Sequence, residues 1–345
     1  MVRVLIVAFT ACVTLALAYP FKFADAGTLH PDVQQLRGVS LHPEASDANV
    51  AILSREFKML QRAGASSVRF DVFWATLEWK ERGQYVPSTL RRLDRVFKLA
   101  RADHLKVILD LWATPCWASS APIWVKLGCS PGWWRRNVTH YPPVRAEDYA
   151  AAAGFVARRW RRSIVALELW NEPNGGQFFT SSDPASDYAR LVRAAYPVIK
   201  SVAPKLPVIM SLGGTDTTFL GKLYSHGVMG YYDGIAVHPY GQPHLGGLRA
   251  FHAYQQGHGD QTPLWVTEVG WSSAVSGLEG QAEGVASALT QLAVLRYVRA
   301  VEIYEMRDGG APNSSPEDHF GLVKGNLRPK PAWWTFVKTL RELAR

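Results

Sequence analysis

Short runs of branched and aliphatic residues recur along this chain, separated by longer stretches in which apolar positions repeat at helical spacing. Eight runs can be marked, at 35–41, 67–72, 106–111, 164–169, 207–211, 234–238, 264–269 and 300–304. Between them, helical patterns are expected over 47–62, 88–101, 146–161, 185–202, 280–296 and 331–343. Continuous apolar runs mark strands covered on both faces, and strand-then-helix alternation is the pattern of a parallel sheet. Ser88 and Asp47 stand where helix N-caps fall, and Gly64 follows the first helix where a left-handed C-cap sits. Glycines interrupt the helical period across 217–256, so element bounds there stay open.

No Pro/Gly/Ser linker or shift in composition divides the 345 residues. Eight evenly spaced strands predict one closed α/β barrel, the (β/α)8 or TIM barrel, as a single domain over 19–345. An open doubly wound sheet would carry a Gly-rich phosphate loop after its first strand, and Arg37-Gly38-Val39-Ser40-Leu41-His42-Pro43 is not one. Ahead of the barrel, Met1-Val2-Arg3 leads into an apolar stretch that closes on Ala16-Leu17-Ala18. That is the form of a signal peptide over 1–18, too short for a span of about 20 residues. It predicts a secreted or cell-surface protein with no integral membrane association once the leader is removed. Cys12 would leave with the leader, so Cys116 and Cys129 remain, either as a disulfide or as two thiols.

The polar residues that close each strand carry the chemistry of a β/α barrel, because active sites form at the C-terminal ends of its strands. Strand four ends Leu169-Trp170-Asn171-Glu172-Pro173, and strand seven ends Val266-Thr267-Glu268-Val269-Gly270-Trp271. The two glutamates lie 96 positions apart, which is three β/α units, so they face each other across the mouth. Cleaving a glycosidic bond takes one carboxyl that protonates the leaving oxygen and a second that attacks the anomeric carbon or activates water. A hydrophobic floor is expected to hold Glu172 protonated for the first task.

Trp-Asn-Glu-Pro on strand four and Thr-Glu-x-Gly-Trp on strand seven closely resemble the paired signatures of clan A glycoside hydrolases. That resemblance implies a retaining glycosidase with Glu172 as acid/base, Glu268 as nucleophile, and Asn171 holding the sugar 2-hydroxyl. His238 and Tyr240, in Val237-His238-Pro239-Tyr240, resemble the clan's strand-six pair that orients the nucleophile or contacts substrate. Arg69 resembles its strand-two arginine, and beside Glu268 a cation keeps a carboxylate ionised and aimed. A structural pairing of Arg69 with Asp71 or Asp110 is the plain alternative. Within the clan, the segments at 113–118, 304–308 and 320–333 look most like family 39. Many clan members place a Trp on strand eight as the sugar platform, where Tyr304 stands in this chain.

Thirteen tryptophans suit an aromatic-lined sugar cleft, and Trp74, Trp117 and Trp271 are candidates for stacking on substrate. Trp112 and Trp170 read equally as rim or core. The formal charge of +9 could draw the protein to an acidic polymer, a cell wall or a membrane surface. The cations are scattered, however, apart from Arg135-Arg136, Arg158-Arg159 and Arg161-Arg162, and solvated surface is the expectation; no motif points to nucleic acid. Asn137-Val138-Thr139 and Asn313-Ser314-Ser315 fit the glycosylation sequon. With no metal cluster, phosphate loop or Gly-x-Ser-x-Gly elbow, no cofactor is expected and the partner is an oligo- or polysaccharide. A transglycosylase using the same residues, or a carbohydrate-binding barrel without catalysis, are the rival readings.

Overall fold

The computed structural model describes residues 34–43, 50–241, 244–309 and 315–345, without the side chain of His244. The leader at 1–18, the cap position Asp47 and the sequon asparagine Asn313 lie outside the described residues.

The chain runs β1 (Leu36–Leu41), α1 (Val50–Ala63), β2 (Ser67–Phe73), α2 (Trp74–Leu77), α3 (Pro87–Ala102), β3 (Lys106–Trp112), α4 (Ile123–Lys126), α5 (Ala146–Trp160), β4 (Ile164–Leu169), α6 (Pro184–Val202), β5 (Val208–Gly213), α7 (Thr217–Ser225), β6 (Gly234–His238), α8 (His244–Gly257), β7 (Leu264–Val269), α9 (Ser273–Ala293), β8 (Val298–Ile303) and α10 (Pro331–Leu343). Strands β1 to β8 form one closed barrel in sequence order, β8 pairing back onto β1 in parallel. The eight expected strands and the single-domain (β/α)8 architecture are therefore present. The open stretch at 217–256 resolves into α7, β6 and α8. Helix α3 begins on Pro87 with Val86 as its cap, so Ser88 is not the cap. Proline supplies the fixed φ of a first turn and has no N–H to satisfy. Gly64 does close α1, at φ 91°, with the Ala65 N–H returning to Leu60 O at 3.0 Å.

Each strand alternates between two environments. Outward residues such as Val68, Phe70 and Val72 of β2 join the shell between barrel and helices. Inward residues form two zones: Ile108, Ala166, Ile209, Ala236, Trp265 and Ala300 make an apolar plug. Toward the C-terminal ends, the inward positions turn polar: Arg69, Asp110, Glu168, Ser211, His238, Thr267 and Glu302, all buried. Ser67 donates to Glu302 at 2.5 Å, and Ser211 to Glu168 at 2.9 Å. The plug excludes water from below, so this polar zone opens only toward the mouth.

After β3 the chain makes a long excursion to α5 that carries its own small core of Ala113, Cys116, Ala121, Trp133 and Val138. Cys116 and Cys129 are joined within it, their Cα atoms 5.6 Å apart.

Candidate active site

Two local departures from strand alternation bring the carboxyl groups into the mouth. On β4, Ala166 and Glu168 face inward, and regular pleating would send Trp170 the same way. Trp170 instead takes a left-handed φ of 71° and packs in the outer shell against Tyr149 and Phe179. Asn171 and Glu172 then occupy the mouth, Glu172 itself at φ 44°. Such backbone costs on the order of 1–3 kcal/mol per residue and is held in place here by the buried indole. On β7, Val266 pairs with Val301 and Val269 with Ile303, so one extra residue is accommodated between them. That bulge lets Thr267 and Glu268 both face inward.

Arg69 sits at the centre, almost wholly buried. Its Nη1 meets Glu268 Oε1 at 2.5 Å and its Nε meets Glu168 Oε2 at 2.9 Å. Its Nη2 reaches both Asp110 Oδ2, at 3.1 Å, and Asn171 Oδ1, at 3.0 Å. Of the two structural partners considered, Asp110 is the real one; Asp71 pairs with His42 at 3.2 Å and accepts from Trp112. The Tyr240 hydroxyl donates to Glu268 Oε2 at 2.8 Å. His238 lies between the glutamates: Nδ1 is 2.6 Å from Glu172 Oε1 and 3.7 Å from Glu268 Oε2, while Nε2 meets Thr267 Oγ1 at 3.0 Å. One carboxylate oxygen from each of Glu172 and Glu268 and a His238 nitrogen all fall within 4.8 Å of one another. Gly213 at the end of β5 leaves room for Glu172, since a Cβ there would stand 3.2 Å from its side-chain carbons.

The charges explain one another. Burial works against a charged imidazole at His238, yet Glu268, Glu168 and Glu172 hold it protonated, with a pKa of about 10. Burial alone would raise Glu168, and Arg69 and His238 bring it down to about 2. Glu172 is likewise pushed up by burial but drawn below the usual carboxylate range by the hydrogen bond from His238. The expected hydrophobic floor therefore does not set its protonation: the proton belongs to His238, one hydrogen bond away. Burial, with Glu168 and Asp71 nearby, keeps Asp110 well above the usual range despite Arg69.

These protons bear on stability. Folded His238 near 10, His42 near 9 and Glu302 near 8 all lie above the ordinary values of about 6.5 for His and about 4.3 for Glu. The native state holds more protons than the unfolded chain between those limits, so stability is lost as pH rises through them. Calorimetry should show Tm falling from about pH 6.5 to about pH 10. A Tm that climbs across this window would show the three groups to be unprotonated in the fold. Glu168, near 2, acts in the opposite sense, and its contribution disappears only in strong acid.

The aromatic candidates divide. Tyr304 stands at the mouth, its hydroxyl 3.2 Å from His42 Nε2 and its ring edge-on to Tyr240 and Phe320. Trp112 is half-buried at the same rim beside Phe178. Trp74 is not available to substrate: it is 0% exposed, and its indole N–H bonds Glu78 at 2.5 Å. It opens α2, and a residue just past a strand that starts a helix is drawn into the shell beneath. Trp117 packs edge-on to Trp74 and donates to Glu78 O at 2.7 Å, so it belongs with that cluster rather than with the carboxylates. Trp271 lies against Gly284 of α9, whose missing Cβ gives its indole room. His42 and Glu168 were not singled out from sequence. His42 closes β1 by the same rule that marked the other rim residues, and Glu168 sits at an inward strand position two before Trp170.

The family model for cellulase, glycosyl hydrolase family 5, matches residues 25–291. The chain belongs to this family. The family is one of glycosyl hydrolases. No curated protein matches it in sequence. In fold it is similar to a family 39 glycoside hydrolase from the gut symbiont Bacteroides cellulosilyticus WH2, at 22% identity and TM-score 0.68 over 90% of this chain and 64% of that one. A family 39 β-xylosidase from Caulobacter crescentus gives 18% identity and TM-score 0.67, over 89% and 71%. A family 5 subfamily 18 variant from Streptomyces cattleya, solved with Manβ1-4GlcNAc, gives 18% and 0.67, over 90% and 81%. The chain thus spans less than two thirds of the Bacteroides enzyme's length.

Proposed function

We propose that this family 5 member cleaves an O-glycosidic bond in an oligo- or polysaccharide with retention of configuration, Glu268 being the nucleophile and Glu172 the acid/base. The observation that carries the reading is the short approach of the two carboxyl groups, with oxygens inside 4.8 Å. Retaining pairs stand about 5–5.5 Å apart, whereas inverting pairs need about 6.5–9.5 Å to admit a water.

Glu268 is aimed by its hydrogen bonds from Arg69 and Tyr240, and one of its oxygens attacks the anomeric carbon as the glycosidic bond breaks. The leaving oxygen takes its proton from Glu172, which receives it from His238 Nδ1 along the 2.6 Å hydrogen bond. An ion pair loses its water when sugar fills the mouth, which favours the neutral pair and loads the acid. In the second step Glu172, now a carboxylate, takes a proton from water while that water displaces Glu268. Asn171 accepts a hydrogen bond from Arg69 at its carbonyl oxygen, which leaves its amide donors for the sugar 2-hydroxyl. Tyr304 and Trp112 line the sugar's path. The disulfide suits the secreted location that the leader suggests.

The test is the anomeric configuration of the first product, followed by proton NMR on a panel of aryl glycosides and polysaccharides. The initial sugar should keep the configuration of the bond cleaved. Inverted product, or no sugar released from any member, would overturn the reading.

A further inference from the structure

The excursion between β3 and α5 differs in character from the rest of the surface. From Leu111 to Ala146 the sequence contains no Asp or Glu, while Lys126, Arg135, Arg136 and Arg145 contribute four positive charges. Its underside is packed: Val125, Cys129 and Trp133 face the small core described above. Its outer side exposes Ile123 (68%), Trp124 (72%), Leu127 (54%) and Trp134 (56%). Helix α4 buries none of its residues, and the disulfide fixes its approach and exit. Arg136 ties the segments together, donating to Val125 O at 2.7 Å and Lys126 O at 2.9 Å. Four large apolar side chains exposed along one disulfide-clasped, acid-free excursion are not ordinary monomer surface.

We infer that this rim docks on an anionic lipid bilayer, with Ile123, Trp124, Leu127 and Trp134 entering the headgroup region and the surrounding cations facing lipid phosphates. Two features favour lipid over an acidic polysaccharide. Sugar rings stack on aromatic faces and have no use for Ile123 and Leu127, whereas the acyl boundary takes aliphatic and indole side chains together. Arg136 gives its Nε and one Nη2 donor to backbone carbonyls, and Lys126 gives one N–H to Ser119 O at 2.9 Å, so the Nε–Nη2 edge of the guanidinium fork is already engaged and a diffuse positive field is the larger part of what they offer. Among the described residues no helix is long and apolar enough to cross a membrane, so the contact is peripheral. The rim follows β3 at the mouth, and docking brings the mouth to the bilayer surface.

The test compares the wild-type chain with the triple variant Ile123→Ser, Trp124→Ser, Leu127→Ser, both with the same N-terminus, in co-sedimentation with vesicles. Vesicles of phosphatidylcholine containing about one-third phosphatidylserine should carry down the wild type at low ionic strength, and the triple variant should lose about tenfold in bound fraction. Arg135→Gln, on a different side chain, should weaken binding and flatten its salt dependence. Melting curves confirm that the variants fold. Wild type that stays in the supernatant, or a triple variant that sediments equally, overturns the inference. So does retention on polygalacturonate with none on vesicles, which would assign the rim to glycan. None of these readouts involves turnover, so they stand or fall separately from the glycosidase reading.

Discussion

Glu268→Ala is expected to lower turnover by about 10^4- to 10^6-fold, the range for loss of a nucleophile that acts as part of a unit. Its carboxylate is the point on which Arg69 and Tyr240 converge, and among the described residues no other carboxylate takes both contacts. Glu172→Ala should cost about 10^2- to 10^4-fold, as expected for lost proton transfer, and least on substrates with good leaving groups. Added azide separates the roles. In Glu172→Ala it should intercept the glycosyl-enzyme and give a glycosyl azide of retained configuration. In Glu268→Ala it should enter the vacated space and give the inverted one. Variants as active as wild type would remove both residues from the reaction, and swapped azide stereochemistry would exchange their roles.

Arg69→Met should destabilise the fold by about 3–5 kcal/mol, the cost of stranding buried charges by removing their partner. The carboxylates of Glu268 and Glu168 share that guanidinium with the Asp110 carboxyl, which burial already pushes toward its neutral form, and Glu168 has no exposed surface through which water could take over. Without it, the carboxylates reduce their repulsion by binding protons, so the deficit should be smaller at about pH 5 than at about pH 8. Arg69→Lys keeps one charge but cannot reach four acceptors from a single ammonium, and should fall between. Thermal unfolding across pH checks this. A Tm for Arg69→Met within about 1 °C of wild type would show that the cluster is relieved by other means.

The barrel was legible because strands buried on both faces leave a strong apolar signature, and β4, β6 and β7 begin and end where that signature does. Glu172 and Glu268 could be placed because rim residues follow from strand ends, whereas Arg69, His238 and Tyr240 were placed by resemblance to the clan's motifs. Glu168 and Glu302 were harder to see, since a single polar residue inside an apolar run announces neither its direction nor its partner. The bulge at Thr267 and the left-handed turn at Trp170 are register effects, set by tertiary packing and absent from any period in the sequence. The tryptophans misled for a related reason. Trp74 follows a strand as rim residues do, but it starts a helix, and the side chain went to the shell below.

The mouth's chemistry is mounted on strands whose inner ends rest on an apolar plug, while the β3–α5 excursion hangs outside with a core and a covalent clasp of its own. Parts joined in this way can change at different rates over descent. A new excursion could redirect the molecule to another surface without disturbing the distance between its two glutamates, so the chemistry proposed for the mouth could outlast the place where it is carried out.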